Sequence, residues 1–401
     1  MNSSLKDLKY IKGLSYLIFL LILILSLVGC TDDKITVNTK QSSETYVENE
    51  DYQNYLNLYS NYVKTNDGYY FISDNRLYFF DTYSHESTIA CNKINCEHND
   101  DSCMAFFSTF SFFPIQLSYY NNALYLLGWE TDGSNIYNNY IYQISTDNFK
   151  RKKAVYIGNS NGLSTTVFLI HRGYVYYTVG SNTMNETTAV LYRKQLGNTD
   201  KKDTGEVAFE YTGIGAQIQD ISAYANNIYV SFAGYENKNG DGYKTSFSSI
   251  NIHTLQEKCI FDSSTFAAYA DSNYVYYEKD ENTVNCVDIN TNEETFFCDI
   301  KGPCYISADS NYVYFDNLQS IYIGKTDEKD RRILVYDKTG KYITEIVPKN
   351  PKDDCYFGGD DIMIFKEIIA GEVMESDGAK GYYALDKSQL ISSDKQFIDM
   401  E

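Results

Sequence analysis

The sequence predicts an all-β fold, a single β-propeller, and two observations carry that expectation. The stretch Ala270-Asp-Ser-Asn-Tyr-Val-Tyr276 returns residue for residue at Ala308–Tyr314. Looser copies, each a polar two-residue step followed by Tyr and β-branched residues, occur at Asp67-Gly68, Asn121-Asn122, Arg172-Gly173, Asn226-Asn227 and Asp360-Asp361. Together with Ser272-Asn273 and Ser310-Asn311, the copies are separated by 38 to 54 residues. A period in that range marks repeat architecture, and strand-like content within it marks propeller blades. The second observation is composition: 40 Tyr and 22 Phe against 4 Pro describe a β-rich chain, because aromatic and β-branched side chains suit a pleated, half-buried surface. Seven four-stranded blades are expected after an N-terminal signal helix and a disordered tether. Six or eight blades stay open as alternatives, because the last copy and the closure are weakly marked.

Residues 1–29 follow the plan of a signal peptide, with Lys6, Lys9 and Lys12 ahead of an apolar run from Leu14 to Val28. That run is shorter than the roughly 20 apolar residues a spanning helix needs. It ends in Leu27-Val28-Gly29-Cys30, which resembles a bacterial lipobox; the resemblance implies cleavage before Cys30 and lipid attachment to it. The expected address is the outer face of a bacterial cytoplasmic membrane, held there by covalent lipid. Residues 30–53 are polar and acidic, without apolar periodicity, and read as a flexible tether. The propeller domain is expected over 54–401.

Each repeat reads as four strands. The first has Asn61–Lys64, Tyr69–Ile72, Leu77–Phe80 and Ser87–Ala90, with Asp67-Gly68 as the hairpin between the first two. The second spans about 115–157, the third about 166–211 and the fourth about 218–261. The fifth runs over 266–299, the sixth over 304–347, and the seventh begins at Cys355 with its last strand unplaced. The 54–59 stretch is a candidate for helping to close the ring. In the outer hairpins Asp288 and Asp337 sit just after a strand, where their carboxylates bond backbone amides two residues on. These are turn positions and not catalytic ones.

The most distinctive local feature is a box, Cys91-x(4)-Cys96-x-His98-x(4)-Cys103. With it the chain resembles a group of uncharacterised lipid-anchored propellers of Gram-positive bacteria, related to propeller domains described as low-density-lipoprotein-receptor-like. The resemblance brings no activity. Two chemical readings of the box stand side by side. Three thiolates and an imidazole would complete a closed, structural tetrahedral Zn²⁺ shell, whereas exported cysteines commonly oxidise to disulfides. With Cys30 lipidated, eight cysteines remain, an even number that permits pairing. Cys304 and Cys355 fall on innermost strands of neighbouring blades; Cys259, Cys286 and Cys298 fall on outer strands of the fourth and fifth. For these five, disulfides and buried free thiols both stay open.

The formal net charge of −20 repels phosphate backbones and argues against nucleic acid as a partner. Nucleophile elbows, metalloprotease helices and phosphate-binding loops are absent from the sequence. The four histidines, His85, His98, His171 and His253, have no nucleophile beside them in sequence. The loop Asn237–Gly242 has oxygen-bearing side chains among glycines but lacks the 12-residue spacing of an EF-hand, so it reads as a long hairpin connection. Trp129, Phe106, Phe107, Phe110 and Phe112 read as core residues around the first long connection, with ligand contact as the alternative. The expectation is a monomeric, non-catalytic binding or scaffold module for an unknown protein, peptide or glycan. The alternative is an extracytoplasmic hydrolase or lyase acting on glycans or peptides, an idea that rests on fold analogy alone.

Overall fold

The computed structural model describes residues 47, 51, 61–108, 112–131, 136–160, 167–179, 185–263, 268–356, 359–368 and 379–400. Residues 1–46 with Cys30, the 54–59 stretch and Phe110 lie outside the described residues. The body within 37–401 is built of consecutive antiparallel strands.

Blade 1 is β1 to β4: Tyr62–Lys64, Gly68–Ser73, Arg76–Asp81 and Glu86–Ile89. Blade 2 is β5 to β8: Phe112–Tyr120, Ala123–Thr131, Tyr137–Ser145 and Arg151–Ser160. Then come β9 to β15: Phe168–His171, Tyr174–Val179, Glu186–Gln195, Glu206–Tyr224, Asn227–Tyr235, Lys244–Asn251 and Glu257–Ser263. Blade 5 is β16 to β19: Ala268–Ala270, Tyr274–Asp280, Thr283–Asp288 and Glu294–Asp299. Blade 6 is β20 to β23: Tyr305–Ala308, Tyr312–Asp316, Ile333–Asp337 and Tyr342–Ile346. A short helix, α1 (Leu318–Tyr322), follows its second strand. Blade 7 is β24 to β27: Asp354–Tyr356, Ile362–Ile368, Ala379–Asp386 and Phe397–Asp399. Five of the sheets are four-stranded in simple chain order, as the repeat predicts.

The third and fourth repeats depart from that plan. They form one seven-stranded sheet, because the 19-residue β12 serves both. Its first part pairs with β11 as an outer strand, and from Ile214 onward it pairs with β13 as an inner strand. Gly213 and Gly215 lie at the changeover, and Gly215 has φ 60°. Sequence spacing put a break between 211 and 218; instead one strand runs through it, with an irregular register between Ile214 and Gln217. Sharing one strand, the two blades bring the total to seven.

The polar steps turn the chain in two ways. Asn121-Asn122 and Arg172-Gly173 adopt positive φ at both residues, the geometry that suits a tight hairpin. In the exact repeats an Asp does the work instead. Asp271 Oδ1 accepts from the amides of Asn273 and Tyr274, both at 2.8 Å, and Asp309 Oδ1 does the same for Asn311 and Tyr312. The alternating residues that follow, Val275 and Tyr276 or Val313 and Tyr314, are buried between sheets.

Apolar side chains fill the seams between blades 1 and 2, 4 and 5, 5 and 6, 6 and 7, and 7 and 1. Tyr276, Phe297, Phe315 and Tyr336 pack between blades 5 and 6, and Phe365, Tyr383 and Leu385 pack against blade 6. The first and last blades also meet: Tyr62, Tyr69 and Phe71 share a cluster with Ile362, Ile364 and Tyr382. That contact runs through side chains, and among the described residues no strand passes between those two sheets. Trp129 and Phe107 are core residues, at 5% and 0% exposure.

Candidate metal centre

The connection that leaves β4 carries the cysteine box. Ala90 is tied back to blade 1 by its amide on the Leu77 carbonyl, so Cys91 starts from a fixed point. Asn95 and His98 both have left-handed φ, 56° and 57°. These two reversals fold the loop so that Cys91, Cys96, His98 and Cys103 converge, with one ligand atom from each lying within 4.8 Å of all the others. His98 Nδ1 stands 3.3 Å from Cys103 Sγ. A tetrahedral zinc site with ordinary bond lengths has ligand atoms about 3.5–3.8 Å apart, so the donor set fits the ion in spacing, number and chemistry. Among the described residues it is the one such group of His, Cys and carboxylates.

Backbone amides supply the next layer. Ala105 N–H donates to Cys103 Sγ at 3.3 Å. Burial raises the Cys91 thiol, but the amides of Lys93 and Met104 and the neighbouring thiols outweigh it and hold Cys91 below the usual thiol range. Cys103, at 1% exposure, is pushed up to about 11, mainly by burial. The lowered Cys91 thiol eases the deprotonation that a thiolate ligand requires.

Two arginines from outside the loop fix its shape. Arg76 of blade 1 donates Nε to the His98 carbonyl at 2.7 Å. Arg151, opening β8 of blade 2, donates to the carbonyls of Cys103, Met104 and Phe106 and lies 4.4 Å over the Phe107 ring. Lys93 closes the loop from within by donating to Ser102. Three thiolates and a neutral imidazole around Zn²⁺ would carry a net charge of about −1, and the Arg151 cation is placed to offset it. Nothing in the sequence marked either arginine, because both act on backbone carbonyls from other strands.

The other sequence candidates are not brought into this group. Cys259 lies exposed on β15, Cys286 and Cys298 are buried on β18 and β19, Cys304 is buried just before β20, and Cys355 is buried on β24. The Cys304 amide donates to Glu278 Oε1, and burial raises its thiol well above the usual range. All eight described cysteines are free thiols in this structure. His85 stacks on Phe80, and Asn237 closes its own loop by accepting from the Asn239 amide. Asp288 and Asp337 each accept backbone amides two residues on, the turn role read from sequence.

No family model matches the chain, and no curated protein matches it. Among solved structures it is similar to an oligogalacturonate lyase in complex with manganese, with 10% identity over 80% of this chain and 88% of that one, TM-score 0.45. BamB from Moraxella catarrhalis is similar at 9% identity over 86% and 94%, TM-score 0.39. PorZ from Porphyromonas gingivalis shows 11% identity over 87% of this chain and 39% of that one, TM-score 0.45. The strand order and the seams described above define a β-propeller with seven four-stranded blades, two of them joined by a shared strand.

Proposed function

We propose that the chain is an exported propeller, anchored through lipid on Cys30 at the outer face of a bacterial cytoplasmic membrane, that works as a non-catalytic binding or scaffold module. The observation that carries the non-catalytic part is the donor set at Cys91, Cys96, His98 and Cys103. Four protein ligands fill a tetrahedron and leave no position for substrate, so a zinc ion there is structural. The address is supported by the basic start, the short apolar run and Leu27-Val28-Gly29-Cys30.

The ion would hold the connection between blades 1 and 2 in the shape that Arg76 and Arg151 grip from outside. Function then falls to the blade ends and their loops, where the repeats differ. Native mass spectrometry of the exported domain tests the centre: one zinc per chain, lost with chelator, supports it, and mass deficits of two protons reversed by reductant assign the box to disulfides. A Cys30→Ala variant that leaves the membrane fraction supports the anchor. Cleavage of oligogalacturonides or peptidoglycan fragments by the purified domain overturns the non-catalytic reading.

A further inference from the structure

Asp51 precedes the first described strand, in the stretch expected to be tether, yet it has no exposure at all. The Arg172 guanidinium grips its carboxylate at both oxygens, Nε to Oδ1 at 3.1 Å and Nη2 to Oδ2 at 2.9 Å. His171 Nδ1 lies 3.4 Å from Oδ1, and the opposite ring nitrogen, Nε2, is 2.7 Å from the Ala225 carbonyl. Arg172 Nη1 donates to Asn226 Oδ1 at 2.7 Å, and His253 Nε2 is 3.2 Å from the same oxygen. Asp51 is itself held in a single turn of chain: its amide donates to the Val47 carbonyl, and the Val47 amide donates to Oδ2 at 2.6 Å.

The pocket is assembled from one end of blades 3 and 4. Arg172 sits in the β9–β10 turn, Ala225 and Asn226 in the β12–β13 turn and His253 in the β14–β15 turn. In blades 5, 6 and 7 the first turn instead carries an Asp, which takes a Lys from the next blade in order: Asp271 with Lys338, Asp309 with Lys387 and Asp361 with Lys64. Blade 3 inverts the polarity. Its turn supplies the cation, and the matching anion comes from upstream of the propeller, 121 residues away in sequence. A planar guanidinium fork gripping both carboxylate oxygens is a recognition geometry, stronger and more directional than a point-charge contact.

We propose that Asp51 is an internal ligand. It docks the segment preceding the propeller into a carboxylate pocket made by His171, Arg172 and Asn226, at the end of blades 3 and 4 where their first turns lie. Given the lipid anchor proposed above, on which this last step rests, the docked segment makes that end of the propeller the one from which the tether departs. The ligand class is an acidic side chain on a peptide folded into a single turn, and the chain supplies its own.

Hydrogen exchange on the full chain tests the docking. Asp51→Asn is isosteric and removes the charge; the pair Asp51→Asn/Arg172→Gln also avoids burying an unpaired cation. In both, amides of Val47 and Asp51 and of the turns at Arg172-Gly173 and Ala225-Asn226 should exchange at least about tenfold faster, with the other blades unchanged. A synthetic peptide covering residues 45–57 should slow those turns again in Asp51→Asn and leave the wild type unaffected. Unchanged exchange overturns the proposal. So does a loss of protection spread through all of blades 3 and 4, which would make the pair an ordinary core contact. The readout needs no lipid: a Cys30→Ala protein that stays on the membrane refutes the anchor alone, and an inert Asp51→Asn refutes the docking alone.

Discussion

Lys387 of blade 7 donates to Asp309 of blade 6 at 2.6 Å, with 3% and 1% of the two side chains exposed. The same ammonium also donates to the Gly359 carbonyl, and Tyr314 donates its hydroxyl to Asp309. Burial alone would raise the Asp309 carboxyl, but the Lys387 charge and these donors hold it below the usual range. The pair is the most buried of three such staples, in each of which an Asp in the first turn of one blade holds a Lys of the next.

Removing one partner of a buried pair leaves a charge without compensation, at a cost of about 3–5 kcal/mol. Lys387→Met should therefore destabilise the propeller by about that much, measured by urea unfolding. Lys338→Met, at a staple whose side chains are 25% and 12% exposed, should cost nearer 1 kcal/mol, as solvent-screened pairs do. Adding Asp309→Asn to Lys387→Met should restore part of the loss. A loss no larger than for Lys338→Met would show that the staple is not a stability element.

Glu278 gives a pH prediction. It is 2% exposed, and burial, its largest influence, raises its carboxyl to about 7 despite the Cys304 amide. A carboxyl raised in the folded state binds its proton more tightly there than in the unfolded chain. Stability is therefore lost as pH rises from about 4.5 to about 7 and stays lost above that. Glu278→Gln should raise stability at pH 8 by up to about 3 kcal/mol and change little at pH 4.5. Thermal melts of both proteins at the two pH values decide it; an equal effect at both would rule out the buried carboxyl as its source.

The arginines that grip the cysteine box should govern metal affinity without touching the ion. Outer-layer contacts of this kind are worth about 10–100-fold in affinity. Arg76→Ala and Arg151→Ala should each weaken zinc by about that factor in competition with a chromophoric chelator. Lys93→Ala, on the exposed side of the loop, should weaken it less. Equal affinities in all four proteins would mean that the loop sets its own geometry.

Two glycines separate backbone strain from collision. Gly324 has φ 72° with nothing within 4 Å of an added Cβ, whereas at Gly340, φ 82°, the added carbon would lie 2.3 Å from the Phe297 carbonyl oxygen. Gly324→Ala should cost about 1 kcal/mol, the left-handed penalty alone. Gly340→Ala should cost about 2 kcal/mol more, because the seam between blades 5 and 6 must open to admit it. Similar melting curves for the two variants would contradict this.

What the sequence showed is the part that physics writes locally. The hairpin steps, the inward Tyr and Val, the Asp-capped outer turns and the Cys-His spacing are all short-range patterns, and each reappears in the structure. The staples were hidden because Asp271 and Lys338 are 67 residues apart and each reads as an ordinary turn residue on its own. Arg151 reaches the box across 45 to 48 residues and grips it through carbonyls, which carry no residue signature. Asp51 sat in a polar stretch with nothing to tell a docked carboxylate from a solvated one. The shared strand was missed because the repeat spacing ended one blade near 211 and began the next near 218, and nothing local tells one long strand from two short ones.

That shared strand has a mechanical consequence. The junctions between blades 1 and 2, 4 and 5, 5 and 6, 6 and 7, and 7 and 1 rest on apolar side chains, across which two sheets can slide or hinge. Between blades 3 and 4, main-chain bonds run without interruption from β9 to β15. A load applied there is carried by peptide backbone in shear, so blades 3 and 4 should move and melt as one block. The arc expected to be stiffest is the one that carries the Arg172 pocket.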